Sequence, residues 1–341
     1  MHVAVAGLGL IGGSVALAAR ERCAARVTGT DPDPAAVAAA LAAGAIEAEG
    51  GLDEADVIVV AAPVAALPGA VADALAVARP DAVVTDVGST KGPLVAAVDE
   101  PRFVAGHPLA GGESAGIAGA RADLFAGATW YLVPGPRSSG VAFERVHRFL
   151  AALGARPVAM DPETHDRVMA AVSHLPHVLA NVLVAQAVQA LGGEAMPATG
   201  PSFRDATRVA GANPPLWAQI YAANAAALGA QLDAVIARLA DVRGRLGDLE
   251  DWQAQAAAHR RALLETGLEG GPVQEVRVHV PNRPGVVADL ALTLGRAGIN
   301  IADMSLSPAP DMTEGVVALW VAEADAARAR ALISQRGLPA A

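Results

Sequence analysis

Gly7-Leu8-Gly9-Leu10-Ile11-Gly12 spells G-x-G-x-x-G between an apolar run, Val3–Ala6, and an amphipathic stretch that begins at residue 11. No other feature limits the folding of this chain as narrowly. The pattern serves a strand that turns sharply into a helix. Gly7 permits the tight turn, Gly9 lets a pyrophosphate approach the backbone, and Gly12 lets the helix pack closely on the strand. The start of the helix, with Leu10 and Ile11, would stabilise the phosphate charge. An acid, Asp31, ends the next apolar run, Val27–Thr30. Its carboxylate can accept hydrogen bonds from both ribose hydroxyls and would repel a 2′-phosphate, and Pro32-Asp33-Pro34 offers no arginine to receive one. NAD is therefore expected over NADP. Ala62 and Pro63, at the end of another apolar run, would border the same cofactor cleft.

From residue 1 to 160, short apolar runs alternate with alanine-rich amphipathic stretches. Val3–Ala6, Val27–Thr30, Val57–Ala61, Ala82–Thr85, Phe103–Ala105, Thr129–Val133 and Pro157–Ala159 read as strands. Segments 11–21, 34–43, 65–78, 91–98 and 138–153 read as helices. Such alternation predicts a mostly parallel sheet covered on both faces, a Rossmann-type doubly wound domain over 1–160. Strand signals then vanish. Helical periodicity runs through 162–190, 213–244 and 248–265, and Pro176 should kink or break the first of these helices. The expected all-helical middle domain, 161–268, ends before the linker signal Gly270-Gly271-Pro272. Beyond it, Gln274–Val280, Gly285–Ala297, Ile299–Ser307, Gly315–Val321 and Ala324–Ser334 read as strand, helix, strand, strand and helix. That is a ferredoxin-like α+β domain over 273–341, with a poor last strand in Gly337–Ala341. The fold class is α/β.

Composition narrows what such a chain can meet. Apolar residues fill 53% of 341 positions and the net charge is −10, which argues against nucleic acid and anionic membrane surfaces. Cys23 is the only cysteine, so no intrachain disulfide can form and a reducing cytoplasm is the expected setting. Met1–Gly7 lacks the basic segment of a signal peptide, and Pro63, Pro68 and Asp73 interrupt the apolar stretch from Val57 to Ala78, so no membrane span is expected. Lys91 is the only lysine. It follows Asp86-Val87-Gly88-Ser89-Thr90 and reads either as a solvated first-turn residue or as a contact to substrate or cofactor.

Further islands carry chemistry. Ser89 lies beyond the carboxyl end of a predicted strand, where doubly wound sheets place ligands. It can bond near the cofactor or simply cap the next helix. His107, in Gly106-His107-Pro108, follows the next strand, and its ordinary pKa suits acid/base work near neutral pH. Glu113 reads as a surface carboxylate or a charge near the mouth of the cleft. In Val172-Ser173-His174-Leu175-Pro176-His177, two imidazoles share a helical face. No carboxylate or thiolate completes a ligand set there, and no metal is expected. Arg204 and Arg208 also share a face, and arginine suits bidentate capture of carboxylates. Trp217 offers an apolar wall or plain core packing.

Taken in order, several segments resemble the motifs of the prephenate/arogenate dehydrogenase family, the oxidative step of tyrosine biosynthesis. They are Gly7-Leu8-Gly9-Leu10-Ile11-Gly12-Gly13-Ser14, Asp86-Val87-Gly88-Ser89, Gly106-His107-Pro108-Leu109-Ala110-Gly111, Ser173-His174-Leu175-Pro176-His177 and Phe203-Arg204-Asp205-Ala206-Thr207-Arg208. The resemblance implies that His107 bonds the ring hydroxyl of the substrate and takes its proton. Ser89 would bond the same hydroxyl or orient His107, and Arg208 would pair with a substrate carboxylate. His177, with Ser173 and His174 nearby, would line the pocket, with Glu113 at its entrance and Trp217 as a wall. Gly200-Pro201-Ser202 departs from the more glycine-rich approach expected in relatives.

The C-terminal segments Val280–Val286 and Gly298-Ile299-Asn300-Ile301 are similar to ACT domains. That implies an amino-acid effector, tyrosine, received at Asn282, Arg283, Pro284 and Gly285 by backbone N–H groups near a helix start. A packing module without ligand is the alternative. The implied activity is NAD-dependent oxidative decarboxylation of prephenate to 4-hydroxyphenylpyruvate, in a cytoplasmic homodimer formed through the helical half. Arogenate is the alternative substrate, and a non-catalytic NAD and amino-acid sensor is the alternative class. The lysine that β-hydroxyacid dehydrogenases carry in their helical domain is missing from 161–268.

Overall fold

A computed structural model of the protein describes residues 1–112, 116–192, 197–265, 272–281, 283, 286–309 and 313–340. The chain divides into two units, one of 1–192 with 206–236 and one of 193–205 with 237–341.

In the first unit β1 (His2–Ala6), β2 (Arg26–Thr30), β3 (Ala48–Glu49), β4 (Val57–Val60) and β5 (Val83–Asp86) form a parallel sheet in the order β3-β2-β1-β4-β5. Period-two geometry sends successive side chains to opposite faces. Val3, Val5, Val57 and Val59 pack with Val15 and Ala19 of α1 (Leu10–Cys23) on one face. Ala4, Ile58 and Val60 pack with Leu67 and Val71 of α3 (Leu67–Val77) on the other. Both faces are therefore covered, and the strands are apolar almost throughout. Between these helices, α2 (Pro34–Ala42) starts where expected: Pro34 occupies its first turn and the Asp33 side chain accepts the Ala35 N–H.

A single parallel bridge, Val84 to Phe103, carries the sheet direction into a second group of strands. After α4 (Gly92–Ala97) come β6 (Val104–Pro108), β7 (Thr129–Pro134), α5 (Gly140–Ala152) and β8 (Arg156–Ala159). Here β6 and β7 run antiparallel, and β7 and β8 parallel. The chain between β6 and β7 provides no crossover helix among its described residues, and without one a following strand returns antiparallel.

The run from Pro162 to Ala190 is helical for 29 residues and passes through Pro176. The irregularity lies just ahead of the proline. α6 (Pro162–Met169) and α7 (Leu175–Ala190) are joined by a π-helical turn, Ala170–His174, and Pro176 sits in the first turn of α7. That position tolerates a residue with no N–H to donate. By length and composition the run could cross a membrane, yet it holds the buried, hydrogen-bonded His165, Asp166 and His174. After the short α8 (Pro201–Thr207), the segment expected as one helix over 213–244 is two, α9 (Pro214–Ala223) and α10 (Ala225–Gly244), bent by 91°. Asn224 makes the corner because its side-chain amide turns inward, to the Asp166 carbonyl at 2.7 Å and to His174 at 3.1 Å.

The second unit contains α11 (Glu250–Glu265) and a βαββα module of β9 (Val273–Pro281), α12 (Val286–Arg296), β10 (Ile301–Pro308), β11 (Glu314–Ala322) and α13 (Glu323–Ser334). The sheet is antiparallel in the order β10-β11-β9. Val276, Val278, Val280, Val317, Leu319 and Val321 alternate inward onto Leu290, Leu294, Ala326 and Ile333. The poor last strand shrinks to one antiparallel bridge, Val278 to Ala340.

Candidate active site

The glycine turn is built by contact. Gly7 adopts φ +102°, a conformation side chains rarely allow. A Cβ on Gly12 would stand 1.9 Å from the Gly7 carbonyl oxygen, so only glycine lets α1 approach β1 this closely. Gly9 has nothing within 4 Å of a Cβ position, which leaves open space at the helix start. Asp31 closes the turn from β2. Its Oδ2 accepts the Leu8 N–H at 2.7 Å and its Oδ1 the Asp33 N–H at 2.9 Å. Each oxygen retains a lone pair for a ribose hydroxyl. Open backbone, an uncapped helix start and an acid at the end of β2 fit a dinucleotide.

A cleft of about 550 Å³ runs along this turn. Gly9, Leu10, Ile11, Gly12, Ala62, Pro63, Ser89 and His107 all line it. A second cavity of about 590 Å³, lined by His177, Arg208 and Trp217, shares Gly111, Gly112, Asn213 and Leu216 with the first. The two spaces adjoin at these shared residues, and the residues read as cofactor and substrate contacts segregate between them.

His107 is the penultimate residue of β6 and is 8% exposed. Its Nδ1 meets His165 Nε2 at 2.9 Å, and His165 Nδ1 meets Asp166 Oδ1 at 2.8 Å. The remaining capacity of Asp166 goes to the Lys91 N–H at 2.8 Å and the Gly92 N–H at 2.7 Å. Burial, then the positive charge of Lys91 and the neighbouring His165 and His174, hold the His107 pKa well below 6.5. The imidazole is therefore neutral at physiological pH. Burial would raise the Asp166 carboxyl, but the bonds from His165 and the two backbone amides keep it ionised.

Lys91 is neither solvated nor a ligand contact. Its side chain is fully buried against Asp86, and its ammonium donates to the Gly106 carbonyl at 2.7 Å. Asp86 in turn accepts the N–H groups of Gly88 at 2.7 Å and Gly106 at 3.0 Å. This cluster fixes the peptide on which His107 stands.

In the second cavity His177 stacks on Trp217, with ring centroids 3.4 Å apart and planes 22° from parallel. Burial and the nearby Arg208 charge lower the His177 pKa. Arg208 is exposed and forms no ion pair among the described residues. Ser173 and His174 line neither cavity. His174 is 1% exposed, bonds Asn224 and meets the Trp217 ring edge-on, so it stands behind the wall. Glu113, Asn282, Pro284 and Gly285 lie outside the described residues, while Arg283 is described and exposed. No group of three or more metal-ligating side chains occurs among the described residues. The sequence reading missed His165, Asp166 and Asn224. The polar cluster Thr164-His165-Asp166-Arg167 at the start of a long, mostly apolar helical run was the available signal.

Fold and site together define a nucleotide-binding oxidoreductase with a neutral histidine in the first of two adjoining cavities. Residues 15–159 match the family described as prephenate dehydrogenase, nucleotide-binding domain, residues 161–255 the prephenate dehydrogenase dimerization domain, and residues 275–336 the ACT domain. Prephenate dehydrogenase of Bacillus subtilis is 29% identical over 358 residues, which cover 98% of this chain and 96% of the relative. Cyclohexadienyl dehydrogenase of Zymomonas mobilis is 35% identical over 261 residues, 71% of this chain and 87% of the relative. The structure of prephenate dehydrogenase from A. aeolicus in complex with hydroxyphenyl propionate and NAD+ superposes with a TM-score of 0.71 at 27% identity, covering 77% of this chain and 98% of that one. The chain belongs to the prephenate dehydrogenase family.

Proposed function

We propose that the protein catalyses NAD-dependent oxidative decarboxylation of prephenate to 4-hydroxyphenylpyruvate. The observation that carries this reading is the place of the buried His107 imidazole in the fingerprinted cleft, beside a pocket where Arg208 forms no ion pair among the described residues. The A. aeolicus relative holds NAD+ and a hydroxyphenyl acid, which supports the same pairing of ligands here. Gly7, Gly9, Leu10, Ile11, Gly12, Asp31, Ala62 and Pro63 would hold the nucleotide.

NAD, when bound, supplies the hydride acceptor for the hydroxyl-bearing ring carbon. As that carbon becomes a carbonyl, its hydroxyl proton grows acidic and His107 Nε2 takes it, with Ser89 bonding the same oxygen. The bond to the ring carboxylate then breaks, its electron pair makes the ring aromatic, and CO2 leaves. His107 returns the proton to the phenolate oxygen, so no net proton is released. Arg208 binds a substrate carboxylate, His177 and Trp217 flank the ring, His174 supports Trp217 from behind, and Glu113 would stand at the entrance. General-base help of this kind contributes roughly 10²–10⁴ in rate.

The proposed division of labour follows the chain. Residues 1–160 bind nucleotide and 161–268 bind substrate and pair two subunits. Residues 273–341 bind tyrosine as a feedback inhibitor near Asn282, Arg283, Pro284 and Gly285. Val172, Val182 and Val188 are more than half exposed on the long helical run, and a subunit contact would cover them in a cytoplasmic dimer. Arogenate carries the same ring and differs at the side chain, where no described lining residue is acidic. Parallel assays of nucleotide reduction with prephenate and arogenate, using NAD or NADP and with or without tyrosine, test the reading. Reduction of NAD with prephenate, slowed by tyrosine, is expected. No reduction with either acid overturns it, and turnover of arogenate alone reassigns the substrate.

A further inference from the structure

The array His107–His165–Asp166 fixes where protons sit. A carboxylate can only accept hydrogen bonds, so Asp166 Oδ1 at 2.8 Å requires a proton on His165 Nδ1. When that is the only proton on the His165 ring, Nε2 offers a lone pair alone. That atom lies 2.9 Å from His107 Nδ1, so the proton in this second bond belongs to His107 Nδ1. Neutral His107 is left with its lone pair on Nε2. This nitrogen has no partner among the described residues and is not among the buried atoms lacking one, so it opens onto the cleft that His107 lines.

From this chain of donors we infer that His165 and Asp166 are positioning residues, which set the tautomer of His107 and so make its cleft-facing nitrogen the base. The role rests on the catalytic reading of His107 given above. The array is anchored at its far end. Asp166 is held by the amides of Lys91 and Gly92, and its backbone carbonyl accepts the Asn224 amide at 2.7 Å. His165 is fully buried, and its ring meets the edges or faces of two neighbours in T-shaped contacts, His107 at 5.1 Å and Tyr131 at 5.7 Å between centroids. Neither ring can turn freely. When His107 becomes an imidazolium, its Nδ1–H already points at a lone pair, and the charge lies one ring from the Asp166 carboxylate. No proton need leave His165 for this to work. The arrangement matches the general rule that a buried acid and an intervening group orient an imidazole and stabilise its charged form.

Two variants of His165 separate positioning from packing. His165→Gln can accept from His107 Nδ1 through Oε1 and donate to Asp166 through Nε2, whereas His165→Phe fills the space with neither function. Nitrogen-15 histidine spectra of the full-length wild type, assigned with His107→Asn, should show His107 protonated at Nδ1 without any substrate. His165→Phe should lose that signature and lower kcat on the order of 10–100-fold with nucleotide affinity unchanged, and His165→Gln should recover most of the rate. Wild-type kcat in His165→Phe overturns the inference, as does a wild-type spectrum showing protonation at Nε2. If His165→Phe does not fold, the wild-type spectrum and His165→Gln still decide. A wild type that oxidises neither prephenate nor arogenate overturns the functional reading alone, because the tautomer is read with no substrate present.

Discussion

Lys91, the only lysine of the chain, forms a salt bridge with Asp86 in which both side chains are completely excluded from solvent. Burial pushes the Lys91 ammonium below its usual pKa, and the Asp86 carboxylate opposes that push. The pair also holds both backbone groups of one β6 residue, because Asp86 accepts the Gly106 N–H while Lys91 donates to the Gly106 carbonyl. Such a pair need not add net stability over an apolar substitute, but removing one partner strands a buried charge.

Lys91→Met should therefore lower unfolding free energy by about 3–5 kcal/mol, read from the denaturant midpoint. A loss under about 1 kcal/mol would mean that Asp86 is either protonated or reached by water in the variant.

The glycines of the fingerprint should separate folding from binding. Gly12→Ala puts a methyl 1.9 Å from a backbone oxygen that cannot swing aside. Overpacking of this kind costs about 1–3 kcal/mol, so the melting temperature should fall. Gly9→Ala meets nothing within 4 Å and leaves the fold intact, but fills space that a pyrophosphate needs. The expected result is unchanged melting with weaker NAD binding by calorimetry. Equal behaviour of the two variants would contradict the assignment.

Kinetics should split the two cavities. His107→Asn should reduce kcat by roughly 10²–10⁴ with KM less affected, because it removes a base used only as the reaction proceeds. Arg208→Ala should chiefly raise KM, since its charge-assisted contact to a carboxylate forms on binding. Near-normal kcat in the first variant, or unchanged KM in the second, rules out the corresponding role.

The parts of this site that were legible in the sequence are those encoded locally. Gly7, Gly9 and Gly12 announce a turn by spacing alone, and His107 and Ser89 follow apolar runs that end at a sheet edge. What stayed hidden depends on residues far apart in the chain. His107 and His165 are separated by 58 positions, and Lys91 and Asp166 by 75. No periodicity announces such contacts, so the role of Lys91 was open and His165 went unnoticed. The same limit applies to the antiparallel β6–β7 pair, because alternating apolar runs do not encode strand direction. Asn224 is a local residue with a distant cause. Its side chain bends the α9–α10 helices toward Asp166 and His174, which helical periodicity over 213–244 does not foretell.

The buried imidazoles should also make the fold sensitive to acid. An ordinary histidine titrates near pH 6.5. Burial is the main cause that lowers His174 to about 4, with His165 and His177 adding repulsion and Asp166 opposing it. His107 and His177 shift the same way. In each case the unfolded chain takes up a proton before the folded one does. Stability is then fully present above the unfolded value and falls as pH drops from 6.5 toward about 4, the folded value of His174. One such group contributes a slope of up to about 1.4 kcal/mol per pH unit inside its window. Denaturant midpoints measured from pH 7 downward should therefore decline across this range, where most carboxylates are still ionised. His174→Asn keeps an acceptor for Asn224 and removes the titrating ring, so its decline should be shallower than that of the wild type. A variant curve parallel to the wild-type curve would show that His174 keeps its ordinary pKa in the folded protein.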